Sequence, residues 1–332
     1  MFTALYLAGG LVLILAGAEM FTNGVEWVGK KWRISEGAVG SILAAVGTAL
    51  PESMIPVMAF IFGSGKESVE VGTGAILGAP FMLATLALAV TGIAGLAYRV
   101  NGRHRKYMLI DRSTVRRDLA FFLAVYSLAI LAAFVPLDLR WPVVLSLVLA
   151  YVYYVVLTLK GERVMDEDGI KPLYFARKRD NPASALVLLQ VGAALAGIVA
   201  GARFFVVGVE HAASLLDISP FVLSIFIAPI ATELPEKVNS LIWVRRGKDT
   251  LALGNITGAM VFQGSIIPAF AIAATPWQLS GLAMVSALLA LAGAGLVYVT
   301  LRLGEGIRPM ALVMNGSLYI AFVAAAALIS QS

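Results

Sequence analysis

No cysteine occurs in the 332 residues, so a disulfide framework, a thiolate nucleophile and a cysteine metal site are excluded together. Histidine is almost as scarce: His104 and His211 are too few for a His-rich metal site. Charge is thin as well. Only 14% of residues are charged against 60% hydrophobic, whereas an ordinary soluble domain carries about 25% charged residues. With a mean hydropathy of +0.88, there is too little polar side chain to cover a water-facing surface, and the composition predicts a polytopic membrane protein. The short alternating segments of a transmembrane β-barrel are missing too, since the apolar runs are long and continuous. The first run, from Ala4, contains Glu19, has no basic segment before it and no cleavage site after it, and reads as a retained helix.

What is present is a series of apolar stretches at roughly 3–28, 36–63, 68–98, 118–136, 141–159, 184–211, 219–244, 250–274, 278–301 and 309–330, each near the length a bilayer demands. If Lys30, Lys31 and Arg33 face the cytoplasm, strict alternation puts four more polar segments there: Arg99 to Arg117, Lys160 to Arg179, Arg245 to Lys248 and Arg302 to Arg308. These five loops hold 21 of the 25 basic residues. The positive-inside bias therefore predicts ten helices, a plasma-membrane protein with basic loops cytoplasmic and both termini outside. Basic loops so placed signal topology, and no nucleic-acid partner is expected.

The segment Gly17-Ala18-Glu19-Met20-Phe21, continuing through Glu26 to Thr48-Ala49-Leu50-Pro51-Glu52, recurs 184 positions later as Gly201-Ala202-Arg203-Phe204-Phe205, continuing through Glu210 to Thr232-Glu233-Leu234-Pro235-Glu236. Thirteen of thirty-six aligned residues are identical without a gap, which marks an internal duplication. Each half holds an odd number of helices, so the second copy enters the membrane from the opposite side. The expected fold class is thus all-α integral membrane, ten transmembrane helices as two inverted five-helix repeats, over 1–160 and 184–332, joined by a cytoplasmic loop at 161–183. In such folds the substrate site lies near the midplane.

Glu52 and Glu236 fall inside apolar spans, where an ionised carboxylate costs several kcal/mol unless compensated. Pro51 and Pro235 lack a backbone N–H and are expected to break their helices one turn back, near Gly47 and Ala231, releasing carbonyl oxygens into a cavity. Thr48 and Thr232 stand four residues before the glutamates, on the same helical face. Freed carbonyls, hydroxyls and two carboxylates form an oxygen cage suited to a hard cation, with Ca²⁺ the natural occupant because it takes six to eight oxygens in flexible geometry.

Gly47-Thr48-Ala49-Leu50-Pro51-Glu52 and Ala231-Thr232-Glu233-Leu234-Pro235-Glu236, with Gly254-Asn255-Ile256-Thr257-Gly258-Ala259 and the weaker Gly74-Ala75-Ile76-Leu77-Gly78-Ala79, resemble the motifs of the Ca²⁺/cation antiporter superfamily. Its sodium/calcium exchangers carry Gly-Thr-Ser-Leu-Pro-Glu in each repeat. The resemblance covers essentially the whole chain and implies exchange of Ca²⁺ by alternating access against Na⁺, sometimes with K⁺, or H⁺. Several side chains of the family's Na⁺ sites are replaced: Ala49 and Glu233 stand where a serine is usual, Ala79 and Ala259 lack the small hydroxyl, and Leu83 and Gln263 occupy an Asn or Asp position.

What the second repeat gains is Glu233 and, four residues on, Lys237, the favourable orientation for a helical ion pair. In this reading Lys237 compensates the charge of Glu233 and replaces one monovalent cation, against the alternative that Lys237 snorkels to the interface. Asn255, Ala259 and Gln263 form an i, i+4, i+8 stripe, so the amides of Asn255 and Gln263 are candidate cation ligands, as interhelical bonding is their competing use. Asn239 and Ser240 carry the same two readings. Glu19 and Arg203 occupy equivalent positions and are expected to pair; Glu26, Glu210 and His211 are expected at the interface.

The whole predicts a secondary-active antiporter for Ca²⁺ or a related divalent cation against Na⁺ or H⁺, not an enzyme. Glu52 and Glu236 are the metal ligands, Thr48, Thr232, Glu233, Gln263 and Asn255 further cation-binding residues, and Lys237 the compensating charge. The alternative is a non-transporting or differently selective sensor or structural protein of the same fold. Beyond the transported Ca²⁺ and Na⁺ or H⁺ no cofactor is expected; the partners are inorganic cations and the lipid bilayer, and the chain is taken as a monomer.

Overall fold

In the computed structural model the described residues are 2–32, 45–63, 65–99, 105–161, 171–179, 181–279, 281–304 and 306–329, with the side chains of 29, 32, 45–51, 159–161, 231 and 234–239 left aside. The regular elements among them are all helices: α1 (Phe2–Trp32), α2 (Ala45–Phe62), α3 (Lys66–Met82), α4 (Leu88–Ala97), α5 (Arg112–Leu131), α6 (Trp141–Gly161), α7 (Ser184–Leu216), α8 (Pro220–Arg245), α9 (Asp249–Ala274), α10 (Gly281–Leu303), α11 (Pro309–Val313) and α12 (Asn315–Ile329), with short 3₁₀ turns and one π turn between them. Among the described residues eight stretches are long and apolar enough to cross a membrane: Phe2–Val28, Lys66–Ala97, Arg112–Phe134, Leu137–Thr158, Ser184–Leu216, Asp249–Ala274, Gly281–Leu303 and Pro309–Leu328. Two shorter apolar helices, Glu52–Phe62 and Pro220–Ile230, belong to α2 and α8.

The chain separates into two compact units, 1–72 with 152–217 and 73–151 with 218–332. Each unit draws on both halves of the sequence.

The first unit is built on α1 against α7. On α1, Gly10, Gly17 and Gly24 recur every seven residues and face Gly201, Ile198 and Val191 in turn, an antiparallel seam. A Cβ at Gly10 would stand 2.7 Å from the Gly201 carbonyl oxygen, and one at Gly201 would stand 2.7 Å from that of Gly10. Small residues at such spacing let two membrane helices approach backbone to backbone, where dispersion and weak polar contacts replace the hydrophobic effect. Residues 171–179 fold back over this pair. The Lys171 carbonyl accepts from Asn23 Nδ2 and Trp27 Nε1, both at 3.1 Å, and Leu173 is buried with Trp27 and Val187. Buried Gln190 of α7 donates to the Met20 carbonyl and to Asn23 Oδ1 and accepts from the Phe175 amide. Tyr174 Oη donates to Glu19.

The expected Glu19–Arg203 pair is not made: Glu19 takes the Tyr174 hydroxyl, while the Arg203 guanidinium lies over the Phe62 ring at 5.8 Å. A phenol and an aromatic face supply each charge with a partner without joining the two. Glu210 accepts from Ser68 Oγ at 2.6 Å.

In the second unit the stretch read as a single span near 68–98 is interrupted. Pro80 removes one amide donor, and the ladder widens into a π turn at Leu83–Ala87 before α4 resumes. Gly293 of α10 meets this turn, with a Cβ there 2.5 Å from the Ala84 carbonyl oxygen, and Asn315 Nδ2 donates to the Gly293 carbonyl. Phe81 stacks on Tyr319 at 5.3 Å and tilts against Phe322 at 4.7 Å. By contrast, the breaks expected at Pro51 and Pro235 are absent: α2 and α8 run through both prolines as continuous helix. A proline removes one hydrogen bond, and the neighbouring turns hold the helix across the gap.

Candidate functional site

Ser219 caps α8, its side chain accepting from the Phe221 amide, with Pro220 in the first turn where no amide donor is needed. Gly247, at φ 74°, takes the left-handed conformation that turns the chain within three residues into α9. The two helices therefore form an antiparallel hairpin, and this hairpin carries most of the expected site.

Glu233 of α8 is 1% exposed and Gln263 of α9 is 4% exposed. The Gln263 amide donates from Nε2 to Glu233 Oε1 at 2.7 Å, leaving Gln263 Oε1 buried with no hydrogen-bond partner. Thr232 is buried beside them, its hydroxyl donating to the Ala228 carbonyl one turn back at 2.9 Å. Its oxygen keeps lone pairs for a further contact. Asn255 is half-buried two turns before Gln263 on α9. Glu236 and Lys237 follow Glu233 on α8; the expected Glu233–Lys237 contact and the ligand role of Glu236 lie outside the described side chains. In the first unit Glu52 stands in α2 at 8% exposure, with Thr48 one turn earlier on that helix, its side chain also outside the described set. Among the described residues no three His, Cys, Asp or Glu side chains cluster in a preformed metal site. Within the second unit, the buried Glu233 carboxylate beside the unbonded amide oxygen of Gln263 is oxygen chemistry of the kind that accepts a small cation or a proton.

Two further polar clusters, not marked by any sequence motif, lie in the second unit. Asp118 of α5 is buried and accepts from Thr257 of α9 at 2.9 Å, with Arg117 alongside at 3.2 Å. Buried Asp249, at the start of α9, pairs with Arg105, whose Nη2 also donates to the Val244 carbonyl at 2.8 Å, while the Leu109 amide donates to Asp249 at 2.7 Å. Both sets join residues about 140 positions apart, so neither helical spacing nor local motif announces them. The one available signal was a lone aspartate at the edge of an apolar run, in each case beside arginine or lysine.

A family model for the sodium/calcium exchanger protein matches residues 2–160 and 186–328. The chain belongs to the sodium/calcium exchanger protein family. As a member it is a multi-pass membrane protein. An uncharacterized membrane protein of Methanocaldococcus jannaschii is 26% identical over 260 residues, 77% of this chain and 76% of the relative. The fold of this exchanger-family chain is similar to that of the H⁺/Ca²⁺ exchanger CAX, with TM-score 0.67 and 18% identity over 99% of this chain and 88% of the other. It is also similar to the sodium-calcium exchanger NCX_Mj, with TM-score 0.57 and 22% identity over 98% of both chains.

Proposed function

We propose that the chain is a secondary-active antiporter that exchanges Ca²⁺, or a related divalent cation, for Na⁺ or H⁺ by alternating access. The observation that carries this reading is the burial of Glu52 in an apolar helix, at 8% exposure, in a chain of the sodium/calcium exchanger family that repeats the same Thr-x-Leu-Pro-Glu motif at Glu236. A carboxylate so placed is stabilised when a cation or proton occupies it. Glu52 and Glu236 are the central metal ligands. Thr48 and Thr232 add carbonyl or hydroxyl oxygens, and Glu233, Gln263 and Asn255 complete the cation-binding set. Lys237 compensates Glu233. The spans number ten, in two inverted five-helix repeats over 1–160 and 184–332 with the connecting loop 161–183 cytoplasmic. The protein sits in the plasma membrane as a monomer with both termini outside.

Structural neighbours named for H⁺/Ca²⁺ exchange and for sodium-calcium exchange leave the counter-ion to experiment. Radiolabelled calcium uptake into proteoliposomes, driven separately by an outward Na⁺ gradient and by a pH gradient, identifies it. Uptake under one gradient alone names the partner ion. If protons are that ion they compete with the cation for the glutamates, so uptake at subsaturating calcium falls as pH drops on the loading side; a flat pH profile there rules protons out. No uptake under either gradient contradicts calcium exchange.

A further inference from the structure

Inside the spanning helices most of the described buried serine and threonine hydroxyls bond within their own helix or to a neighbouring carboxylate, while the buried phenol of Tyr126 is left without a hydrogen-bond partner. Thr85, Thr91, Thr232 and Ser265 each donate to a carbonyl one turn back, Ser286 donates to the Ala283 carbonyl, and Thr257 donates to Asp118. Ser240 does neither. Its side chain is 1% exposed, yet Oγ has no hydrogen-bond partner and does not bond the Glu236 carbonyl one turn earlier. Leaving a buried hydroxyl unsatisfied costs about 1–3 kcal/mol, and back-bonding to its own helix is ordinarily open to a serine. A buried serine oxygen left unbonded one turn from a carboxylate in a transport helix has its lone pairs open to a ligand.

The position of Ser240 says which ligand. It follows Glu236 by four residues on α8, so the two share a face with Cβ atoms about 5–6 Å apart. Oxygens around one Ca²⁺, each about 2.3–2.6 Å from the ion, span that separation. The Glu233–Gln263 bond sets the register of the antiparallel hairpin. Seven residues, about 10 Å at 1.5 Å per residue, then bring Ser240 level with Ile256, beside Asn255. Ser240 thus lies between the glutamates and the loop end of α8 at Arg245.

Resting on the antiporter reading, we infer that Ser240 Oγ is a further ligand of the transported cation, sharing with Glu236 an ion on the loop side of the glutamate. The absence of cysteine from the chain gives the test a clean background. Parent, Ser240→Ala and Ser240→Cys are compared as full chains in proteoliposomes for calcium uptake, and in detergent for the rise in Tm produced by calcium. In Ser240→Ala the half-saturating calcium concentration rises about tenfold, the loss expected for one oxygen contact to a charged group. Its calcium-dependent Tm rise shrinks while its cation-free Tm is equal to or above the parent's, because an unsatisfied hydroxyl has gone. In Ser240→Cys a soft thiolate replaces the hard oxygen, and Cd²⁺ inhibits uptake at concentrations about tenfold lower than in the parent. Parental half-saturation and parental calcium-dependent Tm rise in Ser240→Ala overturn the assignment while leaving the antiporter reading intact. A parent chain with neither calcium uptake nor a calcium-dependent Tm rise overturns both.

Discussion

At the scale of single residues the second unit spends its polar groups in pairs that cross between helices. Gln263 gives Glu233 a donor, so Gln263→Leu removes one hydrogen bond from a buried carboxylate. A loss of about 1–3 kcal/mol is expected in denaturant or thermal unfolding. Combined with Glu233→Leu the loss should be smaller than the sum of the two single losses; additive losses would show that the hydrogen bond contributes nothing. Arg105 and Asp249 are a more demanding case, because both are buried and each is the other's charge partner. Asp249→Asn leaves an uncompensated guanidinium and should cost about 3–5 kcal/mol, read as a fall in Tm; an unchanged Tm would mean that water already reaches the pair. Neither pairing was readable in the sequence. Glu233 and Gln263 were each singled out by chemistry, as polar residues in apolar spans. That they meet depends on the register of a hairpin, which a local pattern does not contain.

At the scale of elements, apolar run length located eight spanning stretches among the described residues, since burial in lipid requires about 20 apolar residues and an unbroken backbone ladder. The ladder's local departures were not readable. Pro80 is followed by a π turn while Pro51 and Pro235 sit in continuous helix, although all three remove the same donor, a difference that the residue type alone does not encode. The α1–α7 seam is the feature most exposed to substitution. Gly10→Val sets a branched side chain against the Gly201 carbonyl and should lower stability by more than about 1–3 kcal/mol, the usual cost of overpacking, whereas Gly9→Val meets open space and should be tolerated. Equal effects of the two variants on Tm would show that the seam is not tightly packed. Asp111 caps α5, accepting from the Ser113 amide and from the Ser113 and Thr114 hydroxyls. The Thr114 and Ser113 side-chain hydrogen bonds hold its carboxyl below the usual aspartate range. The cap is therefore fully present above the ordinary aspartate pKa and is lost as pH falls through the lowered one. Tyr174 moves the other way, its hydroxyl raised chiefly by the hydrogen bond to Glu19. The stability that bond contributes is complete below the ordinary tyrosine pKa and disappears as pH rises through the raised one, so Tyr174→Phe should flatten the alkaline limb of the Tm–pH curve; an unaltered limb would remove the bond from the account.

At the scale of the whole molecule, the internal repeat and the placement of basic residues carried more information than any single motif. A duplicated half with an odd number of spans must invert, and in such folds the site lies near the midplane. The two compact units each mix both sequence halves, an arrangement that no one-dimensional reading contains. The proposed orientation can be checked with single cysteines in a chain that has none: one at exposed Lys178 in the connecting loop and one at exposed Lys106 in the loop before α5 should label from the same, cytoplasmic side. Labelling from opposite sides would refute strict alternation. The proposed role of Glu52 and Glu236 as ligands of the transported cation is tested most directly by gradient-driven calcium uptake in proteoliposomes for the parent, Glu52→Gln and Glu236→Gln. Uptake abolished in each variant alone, with both still folded by their Tm, is the predicted result; parental uptake in either variant would contradict it.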